Sequence, residues 1–213
     1  METAVGTQLA SLAKIWTYPV KSLRPIASDE AMVVADGLAG DRRAALYVAS
    51  PEHARTGNTY RGKDDNRLHL IDNPDEALQA AEERGVELEV RAGERYFDAG
   101  PVSLILDCWI AEVERGLGRR LDPLRWRPNL FASAMRQVSE QDLVGKRVRL
   151  GTTVLLVTNP TGRCVTTTYD QATGESDGTV LRYVALERDN TMGVYCDVDE
   201  PGVVRVGDIL TLC

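Results

Sequence analysis

From residue 146 onward the chain is a series of short β-type runs, KRVRLG, TTVLLVT, RCVTTTYD, GVYCDV and GVVRVGDILTL, punctuated by Gly-Asp and Pro-Gly pairs. Glycine and proline in such pairs set turns. Strands punctuated this closely specify a small barrel rather than a βαβ sheet. Residues 10–50 read the same way. LAKIWTYPV is β-rich and stops at Tyr18-Pro19, because proline cannot donate to a ladder. MVV (32–34) and AALYVAS (44–50) follow, with turns at Asp36-Gly37 and Gly40-Asp41.

Helices are few. One is well marked: Asn73 caps, Pro74 takes the first helical position, Glu76 is placed for a capping box and Gly85 ends it. A second is predicted from about Pro101 to Gly116, burying Leu104, Ile105, Cys108 and Trp109. VELEVRA (86–92) alternates like a strand, and PEHARTGNTYRGKDDNR (51–67) reads as a polar loop long enough to be mobile or to line a site. The expected fold class is α+β, mainly β.

A chain of 213 residues with 43% hydrophobic and 27% charged residues supports a sizeable core in one domain or two small ones. The net charge of −7 gives no global field for nucleic acid or anionic lipid. No apolar run approaches the roughly 18–20 residues of a membrane span, and METAVGTQLASLAK lacks the features of a signal peptide. The expectation is a soluble, cytoplasmic monomer that binds neither nucleic acid nor membrane.

Two histidines, His53 and His69, supply neither a histidine-based zinc site nor a Ser-His-Asp triad well. His53 reads as a loop residue, and His69, alternating with leucines in RLHLID, as the outer face of a strand. The four cysteines form no CxxC pair. Cys108 and Cys196 lie in apolar runs and Cys213 is the last residue. Cys164 differs. TVLLV runs into a turn at Asn159-Pro160-Thr161-Gly162, which places Cys164 at a sheet rim, with Arg163 beside it to favour the thiolate. Such a sulfur suits a soft or high-valent transition metal, or it is a semi-exposed cysteine without a role. Residues 119–136 hold Arg119, Arg120, Arg125, Arg127 and Arg136 against one acid, Asp122: an anion site or a solvated face. Lys21-Ser22 and Gly40-Asp41-Arg42-Arg43 leave the same two readings open.

Taken in order, YPVKS (18–22), GLAGDRR (37–43), RPN (127–129), RCVTTTYDQATG (163–174) and MGVY with PGVVRVGD (192–208) resemble the MOSC family, the domains related to the C-terminal part of molybdenum cofactor sulfurase. More specifically they resemble the subgroup with an extra N-terminal β-barrel domain, which includes the mitochondrial amidoxime-reducing component. The resemblance implies a MOSC-type β-barrel at 99–213, packed with a smaller barrel-like domain at 10–98. It also implies a molybdenum cofactor, with molybdopterin held by Lys21, Ser22, Arg42, Arg127, Asn129, Thr161, Arg163 and Tyr195, and Cys164 as the catalytic metal ligand. The implied reaction is oxygen-atom transfer that reduces a small N-hydroxylated substrate. Only Cys213 follows Cys196, so electrons would come from a separate reductase or iron–sulfur protein. The family often has Pro-Cys-x-Arg-Cys where this chain has Pro160-Thr161-Gly162-Arg163-Cys164. Two alternatives need the same residues: a sulfur-transfer protein carrying a persulfide on Cys164, and a non-enzymatic molybdopterin carrier.

Overall fold

The β-rich runs of the C-terminal part close into a barrel, and the closing strand comes from the other end of the chain. The computed structural model describes residues 6–49 and 59–213, so the reading of His53 and the first part of the 51–67 loop, 51–58, lie outside the described residues. Seven strands form the barrel: β1 (Gln8–Thr17), β8 (Val102–Leu106), β9 (Leu130–Ala134), β10 (Arg147–Leu150), β11 (Thr153–Gly162), β12 (Thr191–Glu200) and β14 (Ile209–Leu212). Their order is β14-β10-β11-β12-β8-β9-β1, and β1 returns to β14 through Gln8↔Thr211 and Ala10↔Leu210. Every pair is antiparallel except β8 with β9. A short strand β2 (Ile26–Ser28) extends the sheet from β1.

Two smaller sheets sit beside the barrel. β3 (Glu30–Val34) joins β4 (Gly37–Leu38) to β13 (Gly202–Arg205). β5 (Ala44–Val48) lies between β6 (Thr59–Tyr60) and β7 (Leu88–Ala92). The helix α1 (Pro74–Glu82) starts as its cap signals require, with Asn73 Oδ1 accepting from the Glu76 N–H at 3.0 Å. It backs the second sheet over a separate small core of Val20, Leu23, Leu46, Val48, Tyr60, Leu68, Ile71 and Ala77. Residues 10–98 therefore contribute to both units: β1 is a barrel strand, while the segment from Val20 to Ala92 builds most of the smaller one.

Four readings of the sequence are corrected. The helix predicted from Pro101 begins only at Asp107, as α2 (Asp107–Leu117), and ends on Gly118 in the left-handed conformation. VSLIL is instead β8, with all five residues buried; a short continuous apolar run fits a strand covered on both faces as well as a helix. RCVTTTYD is not a strand: Val165–Thr168 makes a 3-10 turn in which Thr168 Oγ1 donates to Val165 O at 2.7 Å, a local bond that competes with pairing. Asn159–Gly162 is not a turn, because β11 runs through it with bulges that oppose Pro160 to Val194. His69 lies in a 3-10 turn, Leu68–Leu70, rather than on an outer strand face.

Two helices lie where no strand or helix was expected. α3 (Glu140–Leu143) carries a Ser139–Asp142 capping box, and α4 (Gly178–Glu187) is capped by Asp177, which accepts from Thr179 N–H at 2.9 Å. α2 and α4 pack on each other against β8, β9 and β12. Cys196 is fully buried on β12, as its apolar run suggests. Cys108 sits half-buried on α2. Among the described residues no helix is long and apolar enough to cross a membrane.

Candidate functional site

A cavity of about 450 Å³ opens at the rim of the barrel, where it meets the smaller unit. Among the described residues its wall carries Lys21, Arg42, Arg61, Lys63, Arg125, Arg127 and Arg163 against a single carboxylate, Asp98. In a chain of net charge −7 this is a local inversion of sign. Cationic side chains gathered around a concave surface make an anion site.

The backbone is bent to present these groups. Among the described residues, five other than glycine adopt positive φ, and three of them line the cavity: Ser22 (76°), Arg42 (47°) and Arg127 (50°). Left-handed conformations of such residues cost on the order of 1 kcal/mol or more and persist where the surroundings enforce them. Tyr18 does much of the enforcing. Its N–H donates to Asp41 Oδ1 at 2.7 Å, its hydroxyl donates to Pro128 O at 3.1 Å, and its carbonyl accepts from Arg42 N–H at 2.6 Å. The guanidinium groups of Arg42 and Arg127 lie 4.6 and 4.4 Å from its ring centroid. An aromatic face attracts cations, so one buried ring holds two like charges near each other. Asp41, also buried, bonds the Arg42 guanidinium.

Lys21 bonds Asp98. Burial opposes ionisation of Asp98, but Lys21, Arg42 and Arg61 outweigh it and hold the carboxyl below its usual range. Ser22 Oγ accepts from Gly62 N–H at 3.2 Å, which ties the segment after β1 to the segment after β6.

Cys164 follows the end of β11, is exposed, and lines the cavity. Its Sγ lies 3.2 Å from Thr166 Oγ1, a hydroxyl able to donate to a thiolate. Arg163 lies within electrostatic reach of Cys164, as a cation beside the thiol should, but makes no hydrogen bond to it. Its Nε and Nη2 donate to Met192 O and its Nη1 to Trp126 O, so its bonds go to backbone carbonyls. Burial pulls this guanidinium down to about 10. Arg163 thus clamps β12 to the 3-10 turn at Pro123–Trp126, and Arg125 braces the other side by donating to Thr167 O and Thr168 O at 3.1 and 2.8 Å.

Lys21, Ser22, Arg42, Arg127, Thr161, Arg163, Cys164 and Tyr195 all line this one cavity. Asn129 does not. It is 1% exposed and lies beneath the wall, where its Oδ1 accepts from Ser103 N–H, Ser103 Oγ and Arg42 Nη1 while its Nδ2 donates to Trp16 O. The arginine-rich stretch divides. Arg125 and Arg127 reach the cavity, whereas Arg119 pairs with Asp177 and Arg120 with Glu114. Sequence reasoning did not single out Trp126, Tyr169 or Asp98 as site residues, and it placed His69 elsewhere. Arg61-Gly62-Lys63 sit in the long polar segment whose length had suggested a site.

The wall also leaves bonding capacity unused. Thr161 Oγ1, Trp126 Nε1 and Arg127 Nη1 are buried without a hydrogen-bond partner among the described residues, a state that costs about 1–3 kcal/mol each unless a ligand satisfies it. Among the described residues no cluster of three His, Cys, Asp or Glu stands ready to hold a metal ion. A metal at Cys164 would have to bring its other ligands with it. Cations, orphaned donors and one accessible sulfur fit an anionic, metal-carrying organic group.

Comparison with known proteins agrees with this geometry. The sequence pattern of the MOSC domain matches residues 89–211. No curated protein matches the chain by sequence. Its fold is similar to that of the YuaD protein from Bacillus subtilis, with a TM-score of 0.55, 15% identity, and coverage of 96% of this chain and 95% of that one. It is also similar to YiiM from Escherichia coli, with a TM-score of 0.51, 13% identity, and coverage of 96% and 69%. The family match takes in more than half of the chain, the whole barrel except its first strand, and every residue of the Cys164 segment, so this protein belongs to the MOSC domain family, which is linked to molybdenum cofactor binding and sulfurase-like functions.

Proposed function

We propose that the protein is a molybdenum-cofactor oxidoreductase that reduces small N-hydroxylated compounds. The observation that carries this reading is the exposed Cys164 sulfur opening onto the same cavity as seven cationic side chains and three orphaned polar atoms. Lys21, Ser22 and Arg42 would hold a terminal phosphate, with Arg127 behind them. Thr161, Trp126 and Tyr195 would hydrogen-bond the organic frame, and the Cys164 thiolate would ligate molybdenum. When bound, the molybdenum centre supplies two-electron oxygen-atom transfer.

The chain's own part is binding and orientation. Thr166 Oγ1, 3.2 Å from the sulfur, is placed to stabilise the thiolate form that a metal requires. Arg163 and Arg125 fix the segment that carries the sulfur by gripping backbone carbonyls on either side of it. Asn129 supports Arg42 from below. Electrons would reach the centre from a separate reductase or iron–sulfur protein.

The test is the molybdenum and pterin content of protein made in a cofactor-competent host, wild type beside Cys164→Ala. Stoichiometric molybdenum and oxidised-pterin fluorescence are expected in wild type, with molybdenum lost in the variant. The unfolding free energy of the metal-free variant should stay within about 0.5 kcal/mol of metal-free wild type, because the side chain is exposed. Benzamidoxime reduction with reduced methyl viologen then tests turnover. Absence of molybdenum together with sulfane sulfur on Cys164 would overturn the reading in favour of sulfur transfer, and bound molybdenum without turnover would favour a cofactor carrier.

A further inference from the structure

The cavity wall is rich in donors, and one of its buried residues is built to accept. His69 is 5% exposed and lines the cavity. Its Nε2 lies 2.8 Å from Asp170 O. A carbonyl oxygen only accepts, so Nε2 carries the proton, and the neutral ring keeps its lone pair on Nδ1. Nδ1 has no hydrogen-bond partner among the described residues. The ring is further fixed by Tyr169, stacked at 6.1 Å between centroids with the planes 6° apart.

Several charges face this ring. Burial disfavours the imidazolium, and Arg127 and Arg24 act in the same direction, while the Asp170 carbonyl and carboxylate oppose them; the balance lies below the ordinary histidine range. Asp65 also lies within electrostatic reach. The ring is thus the uncharged base in a wall otherwise dominated by guanidinium and ammonium groups. It also belongs to the Cys164 side of the cavity. Tyr169 directly follows the 3-10 turn that carries Thr166, and it feels the charge of Cys164.

We propose that His69 Nδ1 is the acceptor for the hydroxyl of a bound N-hydroxylated substrate and so selects N–OH compounds over aprotic N-oxides. The assignment rests on the functional reading above. A site that hydrogen-bonds a substrate hydroxyl rejects an analogue lacking it, because the analogue displaces water from the acceptor and offers no donor in exchange. An aprotic N-oxide offers only an acceptor, which leaves Nδ1 facing no donor.

Two measurements decide it. The chain has two histidines, so nitrogen NMR of ¹⁵N-histidine-labelled protein is assignable with His53→Gln and His69→Gln variants. His69 should show a protonated Nε2 and an unprotonated Nδ1, and the Nδ1 resonance should move with benzamidoxime but not with its O-methyl ether. In the loaded enzyme, His69→Phe keeps the stacked ring but loses the acceptor. The ratio of kcat/KM for benzamidoxime to that for pyridine N-oxide should then fall about three- to tenfold, the worth of one neutral hydrogen bond, mostly through KM. His69→Gln, which can still donate to Asp170 O and accept at its other amide atom, should recover part of it. A reversed tautomer, equal response of Nδ1 to the O-methyl ether, or an unchanged ratio would overturn the assignment. Wild type that turns over neither substrate would instead count against the oxidoreductase reading, and the NMR titration would still decide whether His69 accepts from the hydroxyl.

Discussion

The motif resemblance makes Asn129 a cofactor contact, and the structure makes it a hub beneath the wall. Asn129→Ala separates the two. In the folded protein the side chain accepts from Ser103 N–H at 3.1 Å, from Ser103 Oγ at 3.0 Å and from Arg42 Nη1 at 3.2 Å, and donates to Trp16 O at 3.2 Å. It therefore ties together β1, β8, the entry to β9 and the turn that displays Arg42. Arg42 keeps Asp41 as a partner after truncation, and the Ser103 hydroxyl can rotate. Ser103 N–H and Trp16 O, both backbone groups in the barrel wall, lose the side chain they share. At about 1–3 kcal/mol for each group stranded in the interior, the cost is about 4 kcal/mol. For a chain of this size that lowers the melting temperature by about 8–16 °C. The assay is thermal and urea unfolding of metal-free wild type and variant, since bound cofactor would add its own stabilisation to the comparison. A variant whose unfolding free energy stays within about 1 kcal/mol of wild type, yet which no longer retains molybdenum when made in a competent host, would refute the hub argument and restore Asn129 to the cofactor.

Three further outcomes are expected. Burial pushes the Tyr18 phenol up to about 12, against the pull of Arg127 and Arg42, while an unfolded tyrosine ionises at 10.0. A raised folded value gives stability that is whole below pH 10 and is lost as pH rises towards 12; the two units correspond to about 3 kcal/mol. Denaturation midpoints measured from pH 8 to 12 should fall less steeply for Tyr18→Phe than for wild type, and parallel curves would contradict this. Cys108, half-buried on α2 with its thiol pushed up to about 11 by burial and by Asp107, serves packing only. Cys108→Ala should cost about 1 kcal/mol and leave turnover at the wild-type rate, so a selective loss of activity would contradict that role. Asp177 caps α4, and the Thr179 hydroxyl and backbone hold its carboxyl at about 2. Asp177→Ala should cost about 1 kcal/mol at neutral pH. The difference should vanish as pH falls from about 4 towards 2, because a depressed carboxylate contributes only while it stays ionised.

β-rich runs and turn pairs were enough to find β10, β12, β13 and β14, because glycine or proline bounds each run, and β10 also alternates strictly between buried and exposed residues. The same rule failed where packing overrides it. VSLIL is buried along its whole length, so it shows no period, and helix and strand cannot be told apart from composition. RCVTTTYD has β-branched residues, but the Thr166 and Thr168 hydroxyls go to local bonds with Cys164 and Val165. At the site, Lys21, Ser22 and Arg42 were picked out by the family motifs that carry them, since their turns alone left a solvated surface equally open. Asp98 and Trp126 were not, since only the tertiary meeting of distant segments makes them neighbours of Cys164. His69 was misplaced for the same reason: its partner Asp170 lies about a hundred residues away, and no local pattern encodes that bond.

The pairing of β1 with β14 has a consequence for how this chain comes into being. Gln8 and its partner Thr211 lie about two hundred residues apart, so β1 leaves the ribosome long before β14 exists to pair with it. Until then β1 has one edge without its final neighbour, and an unpaired edge is a template for joining another chain. Contacts so distant along the sequence also slow folding, since the whole loop must be closed before they form. The nascent protein therefore stands to gain from a chaperone that shields β1. A copy lacking Ile209–Leu212 should aggregate instead of merely losing stability, because β14 is what removes the β1 and β10 edges at once.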